Sequence, residues 1–326
     1  MPHRSRSSQH EILLRQLGVF LSLALGSVQA ATYQPLLEAT ELSEALAARP
    51  QLQIIDIRSP DDYAAGHIPG AISAPYGQWR GPADNPGQLS DNPYFEKLVR
   101  QLGLTDQQPI VVYSSGVDET DFGAAARVYW TLKYLGLTDL SVLNGGFQQW
   151  QLAQHAISND ATQVSASQLT VQNNAKLVIS KDQLLEKITQ QDTTYQLLDA
   201  RPPLFYQGQV KAPTASTGGT IATAQNTPFT QWFNDNDTRI RPVAQIKALV
   251  HSQGLDQAPE TVSFCNTGHW AATNWFVLSE LAGLQNVRLY PASLAEWTQA
   301  QASLPMDNTP TRLEQLQAMF SNLVNN

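Results

Sequence analysis

Cysteine is scarce in this sequence, since Cys265 is the only one in 326 residues. A single thiol excludes an intramolecular disulfide, so this side chain is either a buried apolar group or a reactive one. Clusters of Lys and Arg with interleaved aromatic residues are also lacking, and the net charge is -8. Nucleic acid is therefore not an expected partner, because phosphate binding requires concentrated positive charge.

The spacing that marks a metal site is lacking as well. The chain has 6 histidines, scattered so that none forms a ligand pattern with the cysteine. We therefore expect neither a metal ion nor another cofactor. The histidines are His3, His10, His67, His155, His251 and His269.

Residues 1–30 have the order of features found in a cleaved signal peptide. Three arginines precede a short apolar run at 17–25, and small residues follow as far as Ala30. A membrane anchor is the alternative, although the run is far shorter than the roughly 20 residues of a spanning helix. No cysteine follows the cleavage site and no two of these arginines are adjacent. We expect Sec export, cleavage near Ala30 and a periplasmic protein without a membrane segment.

The rest of the chain contains two weakly similar halves. Each half alternates short Ile/Val/Leu strands with helical segments, such as 124–135 in the first and 271–281 in the second. That alternation predicts the α/β class, with a doubly wound parallel sheet flanked by helices in each half. Equivalent positions in the two halves are Trp79 and Trp232, Ser114 and Cys265, and Trp150 and Trp297.

The repeat sets the predicted domain boundaries. An N-terminal domain is expected at 31–157 and a C-terminal domain at 176–304. The polar stretch 158–175 reads as the linker, because it is rich in Asn, Gln, Ser and Thr. Apolar residues at helical spacing predict a closing helix within 305–326. We expect this tail helix to pack on a domain, with partner binding as the alternative.

Cys265 lies between a β-prone run at 261–264 and a helical segment that begins at Ala271. Ligands of parallel sheets bind at the carboxyl ends of strands, where this turn falls. A helix N-terminus and nearby amide N–H groups stabilise an anion, so they favour a thiolate. Gly268 suits such a loop because glycine accepts positive φ. The alternative is a cysteine that merely fills the core.

Several motifs together resemble those of the tandem rhodaneses, the thiosulfate and 3-mercaptopyruvate sulfurtransferases, over nearly all of the chain after residue 30. The resemblance implies two rhodanese-like domains. It also implies that a small anionic donor, with thiosulfate favoured, gives its outer sulfur to Cys265 as a persulfide. A thiophilic acceptor, either a small molecule or a protein, then takes the sulfur. The motifs are Asp56-x-Arg58, Gly66-His67-Ile68-Pro69-Gly70-Ala71, Leu143-Asn144-Gly145-Gly146-Phe147 with Trp150, and the loop that opens at Cys265.

The same resemblance suggests roles for residues around the cysteine. Arg201 matches a family position whose guanidinium faces the site, where it could bind the donor anion. Asp199 is expected to support that region through hydrogen bonds. Asn266 and Thr267 stand where other members often carry cationic residues. They join the predicted substrate-binding residues even though they carry no charge.

Two further loop residues have open roles. His269 supplies the only titratable cation of the loop, and it either binds the donor, moves a proton or is a neutral residue bonded to the backbone. Trp270 either lines the site or packs the helix. In the first half, Ser114 replaces the cysteine and cannot carry a stable persulfide. The first domain is therefore expected to be catalytically silent and to help wall the site.

Phosphatase activity and non-enzymatic persulfide carriage are the two rival functions. Phosphatases of similar architecture carry an arginine at the position that Ala271 occupies here, so phosphatase activity is disfavoured. A non-enzymatic persulfide carrier that acts with a protein partner remains open. Turnover with small-molecule substrates separates that carrier from an enzyme.

Overall fold

The computed structural model describes residues 34–311. The expected signal peptide at 1–30 and all but the first residues of the expected tail helix lie outside that range. The elements of the first half, in chain order, are β1 (Leu36–Leu37), α1 (Ala39–Ala48), β2 (Gln53–Asp56), α2 (Pro60–Ala65), β3 (Ala71–Ser73), a 3₁₀ helix (Tyr76–Trp79), α3 (Asn92–Gln101), β4 (Ile110–Tyr113), α4 (Glu119–Tyr134), β5 (Leu140–Leu143) and α5 (Gly146–Leu152).

These strands form one parallel sheet in the order β1-β5-β4-β2-β3. All four residues of β4 are buried, which explains why its sequence is a continuous apolar run rather than an alternating one. Helices cover the sheet, so the carboxyl ends of the strands open toward loops.

The second half repeats this architecture. Its elements are a 3₁₀ helix (Ala175–Leu177), α6 (Lys181–Thr189), β6 (Tyr195–Asp199), α7 (Pro203–Tyr206), β7 (Thr220–Ile221), β8 (Gln225–Asn226), a 3₁₀ helix (Phe229–Trp232), α8 (Val243–Ser252), β9 (Glu260–Phe264), α9 (Trp270–Phe276), a π-helix (Val277–Leu281), β10 (Val287–Leu289), α10 (Ser293–Thr298) and β11 (Met306–Asp307).

The second sheet is parallel in the order β10-β9-β6-β8. Val178 adds a parallel bridge to Leu289, at the place that β1 takes beside β5 in the first sheet. A short antiparallel pair, β7 with β11, stands apart from this sheet. The predicted α/β class with one parallel sheet in each half is confirmed.

One element differs from the expectation. The sequence predicts the helical segment at 124–135, but α4 already begins at Glu119. The Asp118 side chain accepts a hydrogen bond from the Asp121 N–H and so caps the helix. Acidic residues favour a first helical turn, which explains why this acidic stretch is helical rather than a loop.

The two halves share one hydrophobic core, in which α4 packs against α9. Phe276 lies edge-on to Phe122 and Tyr129, with ring centroids 5.5 and 5.0 Å away. Residues 159–174 have no regular secondary structure. They follow the first half through backbone bonds such as Gln172 N–H to Leu135 O at 3.0 Å. Within 34–311, no helix is both long and apolar enough to cross a membrane.

Candidate active site

Cys265 follows β9 directly, so it stands at the carboxyl end of an inner strand of the second sheet. Its side chain is almost closed off, with 1% of the residue exposed. Its N–H donates a 3.1 Å hydrogen bond to Ser293 Oγ, which in turn donates to Tyr290 O at 2.8 Å. The strand end and the start of α10 therefore fix the backbone position of the cysteine.

Hydrogen bonds from the second half fix the first two carbonyl groups of the loop. Cys265 O accepts from the Leu294 N–H at 3.2 Å, and Asn266 O accepts from the Ala295 N–H at 3.0 Å. In a trans peptide the C=O and the following N–H point in opposite directions. The N–H groups of Asn266 and Thr267 therefore point away from α10.

Arginines of the first half fix the next two carbonyl groups. Arg80 Nη2 donates to Thr267 O at 2.8 Å, and Arg127 Nη1 donates to Gly268 O at 3.2 Å. By the same peptide geometry, the N–H groups of Gly268 and His269 point away from these two arginines. None of these four consecutive N–H groups donates a backbone hydrogen bond among residues 34–311, so they are available to an anion at the loop.

Gly268 is required by this close packing. Its φ is +67°, and a Cβ at this position would collide with Pro291 O and Arg127 Nη1. Any other residue would be strained and would also push the arginine away. The glycine that the sequence suggested for the loop is therefore explained by contacts from both halves.

Ser293 contacts the Cys265 backbone and has a positive φ although it is not a glycine. Its φ is +53°, and its side chain is fully buried. Gly146 occupies the equivalent place in the first half with a φ of +60°. The second half has a serine there because the hydroxyl binds the Cys265 N–H.

His269 is held in a neutral form. Its Nε2 lies 2.8 Å from Thr120 O, and its Nδ1 lies 2.9 Å from the Tyr76 hydroxyl. A carbonyl only accepts, so Nε2 carries the proton and Nδ1 accepts from the phenol. Burial, together with repulsion from Arg80 and Arg127, lowers the pKa of His269 to about 4.

Among the roles left open for His269, this geometry favours the neutral residue bonded to the backbone. The expectation that it supplies the charge of the loop is not supported, since a ring with this pKa is uncharged at neutral pH. Space for the ring depends on Gly123, because a Cβ there would lie 2.9 Å from the ring Cδ2.

Arg201 and Asp199 form a buried ion pair at the end of β6. Arg201 Nε donates to Asp199 Oδ1 at 2.9 Å, and its Nη2 donates to Asp199 Oδ2 at 2.6 Å. Nη2 also reaches Gly219 O at 2.7 Å, and Nη1 lies 3.4 Å from Asn266 Oδ1. Asp199 thus binds the two guanidinium nitrogens that were expected to bind a donor anion. The remaining nitrogen, Nη1, contacts the side chain of Asn266 in the loop.

Trp270 begins α9 and contacts two neighbouring aromatic rings. Its ring stacks on Phe229 at a centroid distance of 5.0 Å, and Phe205 lies edge-on at 5.9 Å. It therefore packs the helix. The residue is half-buried, and its role in lining the site stays a prediction.

Sequence reasoning missed Arg80, Arg127 and Tyr76, because contacts between the halves are not visible in a linear pattern. One signal was present for Arg127. It interrupts an otherwise apolar helical run, 122–132, where a charged residue is costly unless it has buried partners. The expectation that the first half walls the site agrees with these contacts.

The first half has an equivalent loop, and one of its own carboxylates accepts a hydrogen bond from the loop backbone. Ser114 O and Ser115 O accept from the N–H groups of Phe147 and Gln148 at 2.8 and 2.9 Å, as in the second half. The Val117 N–H donates to Asp121 Oδ2 at 3.0 Å. In the first half the Asp121 carboxylate therefore binds a loop N–H group, whereas the N–H groups of the second loop are free within the described part of the chain. Among the described residues, no cluster suited to a metal ion is present.

Comparisons with known proteins identify the family of the chain. A model of the rhodanese-like domain family matches residues 38–153 and 180–300. A Synechococcus elongatus protein named "Putative thiosulfate sulfurtransferase" is 28% identical over 274 residues, covering 81% of this chain and 82% of that protein. The 3-mercaptopyruvate sulfurtransferase of Escherichia coli strain K12 is 27% identical, covering 79% and 92%.

Two solved structures share the fold. The crystal structure of SseA from Escherichia coli has a TM-score of 0.69 at 24% identity and covers 81% of this chain and all of that one (100%). The anaerobic ergothioneine biosynthesis enzyme from Chlorobium limicola has a TM-score of 0.74 at 21% identity and covers 85% and 71%.

Proposed function

The chain belongs to the rhodanese family, and we propose that it is a sulfurtransferase that carries sulfur as a persulfide on Cys265. One observation supports this most directly. All four carbonyl groups from Cys265 to Gly268 accept hydrogen bonds from other segments, so the amide N–H groups that follow them point away from those segments and are free to bind an anion at the loop. Such preorganised donors stabilise a thiolate before transfer and a persulfide anion after it.

The proposed reaction has two steps. The Cys265 thiolate attacks the outer sulfur of thiosulfate, the S–S bond of the donor breaks, and sulfite leaves with the electron pair. Cysteine then carries a persulfide anion. A thiophilic acceptor such as cyanide attacks the terminal sulfur and regenerates the thiolate, with thiocyanate as product. Neither step needs a general base, which agrees with the neutral and fully bonded ring of His269.

The donor is proposed to be a small anion. Thiosulfate is our preference and 3-mercaptopyruvate is the second candidate, in line with the names of the two relatives described above. With 3-mercaptopyruvate, the thiolate would attack the donor sulfur and the C–S bond would break, leaving the enolate of pyruvate to take a proton. Exposure of only 1% at Cys265 favours such small molecules over a protein donor.

Steady-state turnover tests this proposal. Purified protein with thiosulfate and cyanide should form thiocyanate over many cycles, and Cys265→Ser should form none while it unfolds at the same urea concentration. The same assay with 3-mercaptopyruvate ranks the two donors. A single equivalent of thiocyanate without further turnover would reject the enzyme in favour of a persulfide carrier that acts with a protein partner.

A further inference from the structure

The Cys265 loop has no positive charge of its own. No lysine or arginine lies between Cys265 and Leu281, and His269 is neutral at neutral pH. Arg201 is near the loop, but Asp199 neutralises it. A site that transfers sulfur from an anionic donor therefore has to take its positive charge from elsewhere in the molecule.

Arg80 and Arg127 bring positive charge to the loop from the first half. Each donates to one loop carbonyl, at Thr267 and at Gly268. Neither forms an ion pair with a carboxylate among residues 34–311, whereas Arg58 and Arg201 both do. Two guanidinium groups without carboxylate partners thus contact the backbone of the Cys265 loop.

Both arginines also keep an unused donor. Arg127 is fully buried and its Nε has no hydrogen-bond partner among the described residues, and the same holds for the buried Nη1 of Arg80. A buried donor without a partner costs about 1–3 kcal/mol. Two such donors beside one loop indicate a site that is completed by a bound anion.

Carboxylates of the first half do not cancel this charge directly. Asp121 lies on the same helix as Arg127, six residues earlier, which is about 9 Å along the axis. Its carboxylate accepts from the Val117 N–H and so faces the loop of its own half. Asp118 caps the same helix through the Asp121 N–H.

We propose that Arg80 and Arg127 supply the counter-charge for the donor anion and for the persulfide on Cys265, so that the first half determines which donors react. This inference rests on the proposed sulfur transfer at Cys265. The first half, which has no cysteine, then makes the site of the second half selective for anions.

Alkylation of Cys265 measures this charge without any sulfur donor. Iodoacetate is an anion and iodoacetamide is neutral, and both react with the same thiolate. The ratio of their rate constants therefore cancels changes in thiolate fraction and in exposure. We expect this ratio, divided by the ratio for free cysteine, to exceed one in the native protein and to fall as salt is added.

Arg80→Gln and Arg127→Gln should each lower this ratio about three- to tenfold, because each removes one nearby charge from a poorly solvated site. Arg80→Lys should keep most of it. Arg100→Gln is the matched control, since Arg100 belongs to the first half but contacts Glu96 and Leu169 instead of the loop. If Arg127→Gln does not fold, the half-buried Arg80 still provides the test.

Two results would overturn the inference: a ratio near that of free cysteine in the native protein, or a ratio that the Arg80→Gln variant leaves unchanged. Thiosulfate turnover in the same preparations separates this failure from failure of the proposed function. Turnover with an unchanged alkylation ratio would reject the arginines only. A raised ratio that depends on the arginines, without any turnover, would reject sulfur transfer only.

Discussion

Ser293 combines a functional hydroxyl with a backbone conformation that favours glycine. Its φ is +53°, and its Oγ accepts from the Cys265 N–H. Ser293→Ala should remove that bond and keep the strain, which lowers the free energy of unfolding by about 1–3 kcal/mol. Ser293→Gly should lose the same bond but relieve the strain, so it should be the more stable of the two variants.

Urea unfolding of the three proteins checks this order. Gly146→Ala serves as the matched change in the first half, where the backbone has the same positive φ without a hydroxyl. It should destabilise by strain and crowding alone and leave thiocyanate formation intact. Equal stability of Ser293→Ala and Ser293→Gly would contradict the strain that we assign to this position.

His269 should make stability depend on pH in the acid range. Its pKa is about 4 in the folded chain, against about 6.5 for an unperturbed histidine. Between these values the unfolded chain binds the proton and the folded chain does not, so stability is lost as the pH falls from about 6.5 to about 4. We expect His269→Gln to reduce this loss by on the order of 3 kcal/mol. Urea midpoints that change in parallel for both proteins across this range would show that the ring is not held neutral.

The sequence identified the cysteine but not its charged neighbours. Cys265, Gly268 and the strand before them form a local pattern, which is why the loop could be predicted. Arg80 and Arg127 reach the loop from positions more than a hundred residues earlier in the chain. Only the packing of the two halves brings them there, and the pattern of one loop does not contain that information.

Among the elements, the two loops at the carboxyl ends of β4 and β9 have the same backbone hydrogen bonds, but different groups bind their N–H donors. In the first half, Asp121 accepts from the Val117 N–H. Burial raises the pKa of Asp121, and neighbouring Asp118 acts in the same direction. A thiolate introduced beside this carboxylate would be opposed by its charge whenever Asp121 is ionised.

Ser114→Ala should therefore leave thiocyanate formation unchanged, and Ser114→Cys should not create a second active site. Mass spectrometry of the cysteine variant after thiosulfate treatment should show one added sulfur per chain, located on Cys265. Two added sulfur atoms would mean that the first loop can still stabilise a persulfide and that Asp121 does not block it.

Element boundaries were predictable where the periodicity was strong. The strand before Cys265 was expected at 261–264 and is found at Glu260–Phe264. The start of α4 was missed because the acidic residues after Gly116 resemble a polar loop. Their helical state depends on the Asp118 cap and on packing of the next turn against α9, which a local pattern does not specify.

For the whole molecule, the shared core of α4 and α9 makes the stability of each half depend on the other.

We further propose that the protein is exported through Sec, with a mature start near Ala31. These residues lie outside the described range. Intact-mass analysis of a periplasmic fraction should show the loss of about thirty residues. An unprocessed chain in the cytoplasm would contradict the export proposal and leave the proposed chemistry untouched.

The central claim is that Cys265 carries the transferred sulfur. Reduced protein is incubated with thiosulfate, freed of excess donor, and measured by intact mass and peptide mapping before and after cyanide. The account predicts the mass of one additional sulfur atom on the peptide that contains Cys265, its complete removal by cyanide with one equivalent of thiocyanate, and no addition in Cys265→Ser. A folded protein whose Cys265 gains no sulfur from either thiosulfate or 3-mercaptopyruvate would contradict it.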